Sequence, residues 1–342
     1  MSESKKLMDV PCERSGHVNI TPTLGGIGVF IVFSLSLILF AIIAQPDQTR
    51  MTTILALLGG IIVLLFLGIK DDLLVLSPGK KVLGQLLAAA VIVFFTDIRI
   101  YNFESLLGLG ELSYMFSTSF TIFIFIFIIN AFNLTDGIDG LAGSIATLAS
   151  LVFGIYFLVN QNYLMTAVSF VLIAALLGFL RFNLSKTQKI FMGDSGSMFI
   201  GFILAFQGVA LIKMSNLGEV VYSVNNVPVL VLSVLAFPIL DTTRVFFIRL
   251  RNRKSPFSAD RNHIHHRLLD LGLSHKTATF AISNVNLFII ISTLFIDSLE
   301  FNINVQFLIL LIVAPVFYLF PFMIKLKKGR VKLILPKIMS HS

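Results

Sequence analysis

Asn130-Ala131-Phe132-Asn133-Leu134-Thr135-Asp136-Gly137-Ile138-Asp139-Gly140 is a short polar break between two long apolar stretches, residues 117–134 and 141–160. Stretches of 18 to 21 apolar residues are long enough to cross hydrocarbon as helices, so this segment reads as a loop between two membrane spans. The pattern repeats outward in both directions. Spans are expected at 24–44, 51–69, 80–96, 117–134, 141–160, 163–181, 198–213, 227–247, 278–296 and 304–324. The expected fold is an all-α, polytopic membrane protein of about ten transmembrane helices, forming one domain over residues 1–342.

Composition requires the same solvent. Hydrophobic residues make up 56% of the 342, charged residues only 13%, and mean hydropathy is +0.92, more apolar surface than a soluble domain could hide. The single cysteine, Cys12, excludes an intrachain disulfide and a cysteine metal site. A net charge of +8 would suggest nucleic acid in a soluble protein; here it marks loops retained in the cytoplasm, and no nucleic-acid partner is expected. Ten spans put both termini on one side. The loops on that side (1–23, 70–81, 134–140, 181–197, 244–277 and 325–342) hold 23 of the 26 Lys and Arg, leaving Arg50, Arg99 and Lys213 opposite. Under the positive-inside rule the termini are cytoplasmic.

Chemistry-bearing residues gather on that same face. Asn133, Asp136 and Asp139 recur every third residue, so one helical turn could aim all three at one site. Gly193-Asp194-Ser195-Gly196-Ser197 is expected to open a helix, presenting free backbone N–H groups as an anion site with a carboxylate for a divalent ion. Asp71 and Asp72 end the second span, where two carboxylates oppose the helix dipole; a bound cation or phosphate would complete the balance. Asp241, inside the eighth span, is either functional or an ion pair with Arg244. The loop from Arg249 to Lys276 reads as exposed and basic and carries His263-Ile264-His265-His266-Arg267. Lipid anchoring and zinc are alternatives for this loop, the latter without a clear fourth ligand. Donors for a pyrophosphate fit better.

Together these motifs resemble the polyprenyl-phosphate N-acetylhexosamine-1-phosphate transferase family, in its bacterial undecaprenyl-phosphate GlcNAc-1-phosphate transferase branch. That branch starts enterobacterial common antigen, O-antigen or teichoic-acid linkage units. Pro22-Thr23-Leu24-Gly25-Gly26, Lys70-Asp71-Asp72 with Ser77-Pro78 and Lys81, the Asn130–Gly140 stretch, Met192–Ser197, Pro238–Asp241 and His263–His266 carry the likeness, in family order. The family's usual first helix, preceding a stretch like Asp9-Val10-Pro11-Cys12-Glu13-Arg14, is apparently absent here.

The resemblance implies transfer of a sugar 1-phosphate from a UDP-N-acetylhexosamine, UDP-GlcNAc foremost, to undecaprenyl phosphate, with release of UMP. FucNAc and QuiNAc donors remain open, as does a homodimer. It implies Mg2+, with Mn2+ as a substitute, on Asn133 and Asp194. Catalytic roles would fall to Asp71, Asp72, His263, His265 and His266, and substrate contacts to Lys81, Asp136, Asp139 and Arg267. A secondary transporter is the reading from another class; it would need ionisable groups at the bilayer midplane, discontinuous helices and paired halves.

Overall fold

Asp47, Ser113, Asn162, Ser274 and Asn302 each accept a hydrogen bond from a backbone N–H two or three residues ahead, and each starts a helix. Pro78 starts another at a position where its missing N–H is not needed. A computed structural model describes residues 8–9, 21–222, 224–255, 261–327 and 330–333. The stretch from Val10 to Ile20, which includes most of the motif near Asp9, lies outside the described residues.

Twelve α-helices are described: α1 Gly25–Ala44, α2 Gln48–Leu74, α3 Pro78–Thr96, α4 Tyr114–Thr135, α5 Leu141–Val159, α6 Tyr163–Asn183, α7 Gly193–Asn216, α8 Val227–Val234, α9 Ala236–Arg251, α10 Ile264–Asp270, α11 His275–Asp297 and α12 Ile303–Met323. Two antiparallel ribbons accompany them, Met8–Asp9 with Thr21–Pro22 and Ile324–Lys327 with Arg330–Leu333. Nine of the described helices are each long and apolar enough to cross a membrane. The expected single span at 227–247 is instead the bent pair α8 and α9, at 73° to one another. Pro238 explains the break, because it cannot donate to the Val234 carbonyl one turn back.

Contacts at the two ends establish that α8 and α9 together cross once. The start of α8 joins the far end of α11, where Asn226 Nδ2 donates to Asp297. Asp241 of α9 meets His263 at the opposite end, beside the start of α11. Counting the bent pair as one span gives ten candidate spans among the described residues, and the ends of α2, α4, α6 and α12 share one face with the starts of α1, α3, α5, α7 and α11.

Helix α7 is the axis of the bundle, its apolar window wholly buried, whereas the other spans leave much of their surface to lipid. Its first turn is reached by two neighbours at backbone distance. A Cβ on Gly68 of α2 would lie 2.3 Å from Ser195 Cα, and one on Gly26 of α1 would lie 2.4 Å from Gly196 Cα. Only glycine permits these approaches, which press the polar start of α7 against the end of α2.

Candidate active site

Val75 takes a left-handed conformation (φ 49°) after α2 and turns the chain back toward α3. The turn lets the Leu76 N–H donate to Asp71 Oδ1 at 2.7 Å. Lys81, on the first turn of α3, ion-pairs with Asp71 Oδ2 and with Asp194 Oδ2, the latter at 3.2 Å. From α4, Asn133 donates its amide to Asp194 Oδ1 and to Ser197 Oγ, both at 2.8 Å. Four helices therefore converge on Asp194.

Asp72 takes a different course from its neighbour. Its carboxylate accepts the backbone N–H groups of Asp194 (2.9 Å) and Ser195 (3.2 Å). The anion site expected at the start of α7 exists, but a carboxylate of the chain itself fills it. Asp71 and Asp72 thus each have a partner that the sequence does not show, while Asp194 adds a third carboxylate beside them. Asp72 sits at the positive end of α7, and Asp71 is matched by Lys81. Replacing Asp72 by alanine should therefore destabilise the protein by about 1 kcal/mol, as loss of a helix cap does. A melting temperature in detergent equal to or above wild type would contradict that role.

Asn133, Asp136 and Asp139 do not share a helical turn. Helix α4 stops at Thr135, Asp136 leaves helical geometry (ψ 50°), and Gly140 has φ +80°. Asp139 faces Lys189 at 2.7 Å and His275 at 3.0 Å, and its carbonyl accepts the Thr279 hydroxyl. Burial alone would raise its pKa, but the hydrogen bonds and charges of His275 and Lys189 hold it below the usual carboxylate range. Asp139 thus clamps α11 and the segment before α7. Asp136 behaves in the opposite way: burial and the charges of Asp194, Asp72 and Asp139 push it up to about 7. Burial contributes most to that rise, and the three neighbouring carboxylates add to it.

The histidine loop is buried, not exposed as its composition suggests. Asp241 receives His263 Nδ1 at 2.8 Å and the Ile264 N–H at 2.9 Å, so a carboxylate inside the bundle anchors the start of α10. Arg244, the expected partner of Asp241, donates to the Asn262 carbonyl. The anchor lays His265, only 1% exposed, on the loop after α4. A Cβ on Gly137 would sit 2.1 Å from His265 Nε2. His266 packs against it with ring centroids 4.4 Å apart. Burial and the neighbouring histidines depress the His265 pKa well below normal, and burial with His263 and Arg261 lowers His266 to about 4. Both shifts favour the neutral imidazole. Both ring nitrogens of His265 and Nδ1 of His266 have no hydrogen-bond partner among the described residues, as in a surface built for a polar ligand. Arg267 points elsewhere: Nε donates to the Pro321 carbonyl and Nη2 to the Ile324 carbonyl, so it closes the end of α12.

Three contributors went unassigned in the sequence. Ser197 shares Asn133 with Asp194, and its place one turn after Gly193 was the available signal. Lys189, in the segment before α7, and His275, the first residue of α11, meet Asp139 only in three dimensions. Around Asp194 stand the Asn133 amide on Oδ1 and the Lys81 ammonium on Oδ2, so a hard cation that takes oxygen ligands would bind here by displacing Lys81 from the carboxylate. Among the described residues no group of three His, Cys, Asp or Glu forms a ready cage.

Comparison with known proteins gives the family. The pattern described as glycosyl transferase family 4 matches residues 54–214, from α2 through α7. A Bacillus subtilis (strain 168) protein named "Probable undecaprenyl-phosphate N-acetylglucosaminyl 1-phosphate transferase" is 32% identical over 309 residues, 90% of this chain and 82% of the relative. A decaprenyl-phosphate N-acetylglucosaminephosphotransferase of Mycolicibacterium smegmatis is 35% identical, over 80% of this chain and 71% of its own. The undecaprenyl-phosphate alpha-N-acetylglucosaminyl 1-phosphate transferase of Escherichia coli (strain K12) is 30% identical with the same coverage. The chain belongs to the polyprenyl-phosphate N-acetylhexosamine-1-phosphate transferases of glycosyl transferase family 4.

Proposed function

We propose that this protein transfers GlcNAc-1-phosphate from UDP-GlcNAc to undecaprenyl phosphate in the bacterial cytoplasmic membrane, at a site facing the cytoplasm and dependent on Mg2+. The observation that carries the reading is the meeting of Asp194, Asn133, Lys81 and Asp71 on the face where His265 and His266 are buried with ring nitrogens that lack a hydrogen-bond partner among the described residues. The 23-to-3 division of basic residues supports a cytoplasmic face.

An oxygen of the lipid phosphate attacks the sugar-bearing phosphorus of the donor. The bond from that phosphorus to the oxygen bridging it to the uridine phosphate breaks, and UMP leaves with the bridging oxygen. Such phosphoryl transfer depends on in-line placement and charge neutralisation more than on protein covalent chemistry. Asp194 and Asn133 would hold Mg2+, which neutralises pyrophosphate charge when bound. Lys81 stands between Asp71 and Asp194 and can exchange a carboxylate for a phosphate oxygen. His265 and His266 have donors for the pyrophosphate or the sugar. Asp72 releases the Asp194 and Ser195 N–H groups if it turns toward the acceptor phosphate.

The lipid tail has a place along the bent pair. An apolar cavity of about 350 Å³ between α8–α9 and α12 includes Leu232, Ile239, Arg244 and Leu311. A second, of about 210 Å³, on the α4 and α7 side shares Leu232 and Ile239 with it. Arg244 stands in the first among apolar neighbours, suited to a lipid phosphate. The α8–α9 break is a feature that the transporter reading also expects, but the titratable cluster lies at one face and not at the midplane.

Purified protein given undecaprenyl phosphate and a panel of UDP-sugars should release UMP fastest with UDP-GlcNAc. EDTA should abolish release, and Mg2+, or less fully Mn2+, should restore it. Faster turnover of UDP-FucNAc or UDP-QuiNAc would overturn the donor assignment, and undiminished turnover in EDTA would overturn the metal.

A further inference from the structure

The α8–α9 break strands two backbone groups. Pro238 has no N–H for the Val234 carbonyl, and the bend leaves the Phe237 N–H needing a partner outside its own helix. Val234 and Phe237 are both 0% exposed, in a region without water, where each unpaired group would cost several kcal/mol. One side chain serves both. Asn286, in the middle of α11, donates Nδ2 to the Val234 carbonyl at 3.0 Å and accepts the Phe237 N–H on Oδ1 at 3.3 Å. Tyr318 of α12 donates its hydroxyl to that same Oδ1 at 2.7 Å, and its ring packs on Phe237. A continuous helix would pair the Phe237 N–H with the Ser233 carbonyl and, with any residue but proline at 238, the Val234 carbonyl as well, so this amide and phenol bracket belongs to the bent form.

We propose that Asn286, held by Tyr318, is a positioning residue for sugar-phosphate transfer, acting by fixing the angle of α9. The inference rests on the function proposed above. Asp241 lies on α9 and anchors His263 and Ile264, and through them the buried imidazoles on Gly137. It stands five residues beyond Ala236, about 8 Å along the helix. A change of about 7° in the bend would carry its carboxylate about 1 Å, and a misplacement of that size in a catalytic constellation lowers turnover about a hundredfold. Leu232 and Ile239, on either side of the break, line both apolar cavities, so the same angle shapes the route of the lipid tail.

The test uses full-length, detergent-purified Asn286→Leu, Tyr318→Phe and the double variant Asn286→Leu/Pro238→Ala. Melting temperature, kcat, acceptor KM and the rate of diethyl pyrocarbonate labelling of His265 and His266 are measured on each. Tyr318→Phe should keep its fold and lose about threefold to tenfold in kcat, as expected for one buried hydrogen bond to the bracket. Asn286→Leu should melt earlier and turn over about a hundredfold more slowly. In the double variant residue 238 regains an N–H for Val234, so the helix can run straight. Its melting temperature should recover while kcat stays low and the histidines label faster than in wild type. Recovery of kcat together with melting temperature would reduce Asn286 to a structural role and overturn the proposal. So would wild-type labelling in the double variant. If Asn286→Leu does not fold, the other two variants decide by the same readings. Absence of turnover in the wild type would overturn the proposed function instead, and the labelling rates would still report whether the bracket holds the histidines.

Discussion

Asp194→Ala should lower UMP release by about a thousandfold or more, the upper range for removing one electrostatic element from a catalytic site. The side chain is the junction of the site: Lys81 and Asn133 both spend donors on it, and the Ser195 and Asp194 N–H groups beside it bind Asp72. Without it, Asn133 and Lys81 lose their common partner, and Mg2+ loses its one charged ligand in the proposed pair. Backbone capping of α7 by Asp72 does not need the Asp194 side chain, so the bundle should stay folded. Turnover measured against Mg2+ concentration separates the causes. A variant that recovers at high Mg2+ has lost affinity, and one that stays inactive has lost the arrangement itself. Ordinary activity at ordinary Mg2+ would remove Asp194 from the mechanism.

The second large effect is expected where His265 meets Gly137. His265→Ala should slow turnover about a hundredfold, within the range for a positioned proton donor or acceptor. Gly137→Ala should do nearly the same by another route. The new methyl group would stand 2.1 Å from Nε2, and the flexible end of the histidine is what yields. Combining the two should add little to either, because the methyl group then occupies space that the imidazole has left. Turnover of the two single variants and the double variant, on samples of matched melting temperature, checks this. Additive losses would mean that Gly137 and His265 act separately.

Much of this architecture is legible in one dimension, because hydropathy and charge asymmetry are local properties. The spans, their alternation and the acidic and amide residues at helix ends all follow from them. What escapes is whatever depends on partners distant in sequence. Gly193 opens α7 as its motif leads one to expect, five residues ahead of the apolar stretch at 198, but the carboxylate that holds this first turn, Asp72, leaves no trace in the local sequence. Pro238 is visible as a helix breaker, but the break becomes stable only through Asn286, 48 residues later. Asp72 looked stranded at the end of α2 because its partner, the start of α7, is more than 120 residues away. The histidine loop looked exposed since its anchor, Asp241, belongs to another helix. Arg267 matched the basic character of its loop, yet its guanidinium is used on the carbonyls that end α12.

The central claim is that phosphorus moves together with the sugar. It is tested by UDP-GlcNAc radiolabelled in its sugar-bearing phosphate, incubated with the purified protein, Mg2+ and undecaprenyl phosphate. The account predicts that the label enters the lipid fraction at the rate at which unlabelled UMP appears. Label remaining in water-soluble UDP while the sugar alone passes to the lipid would contradict it.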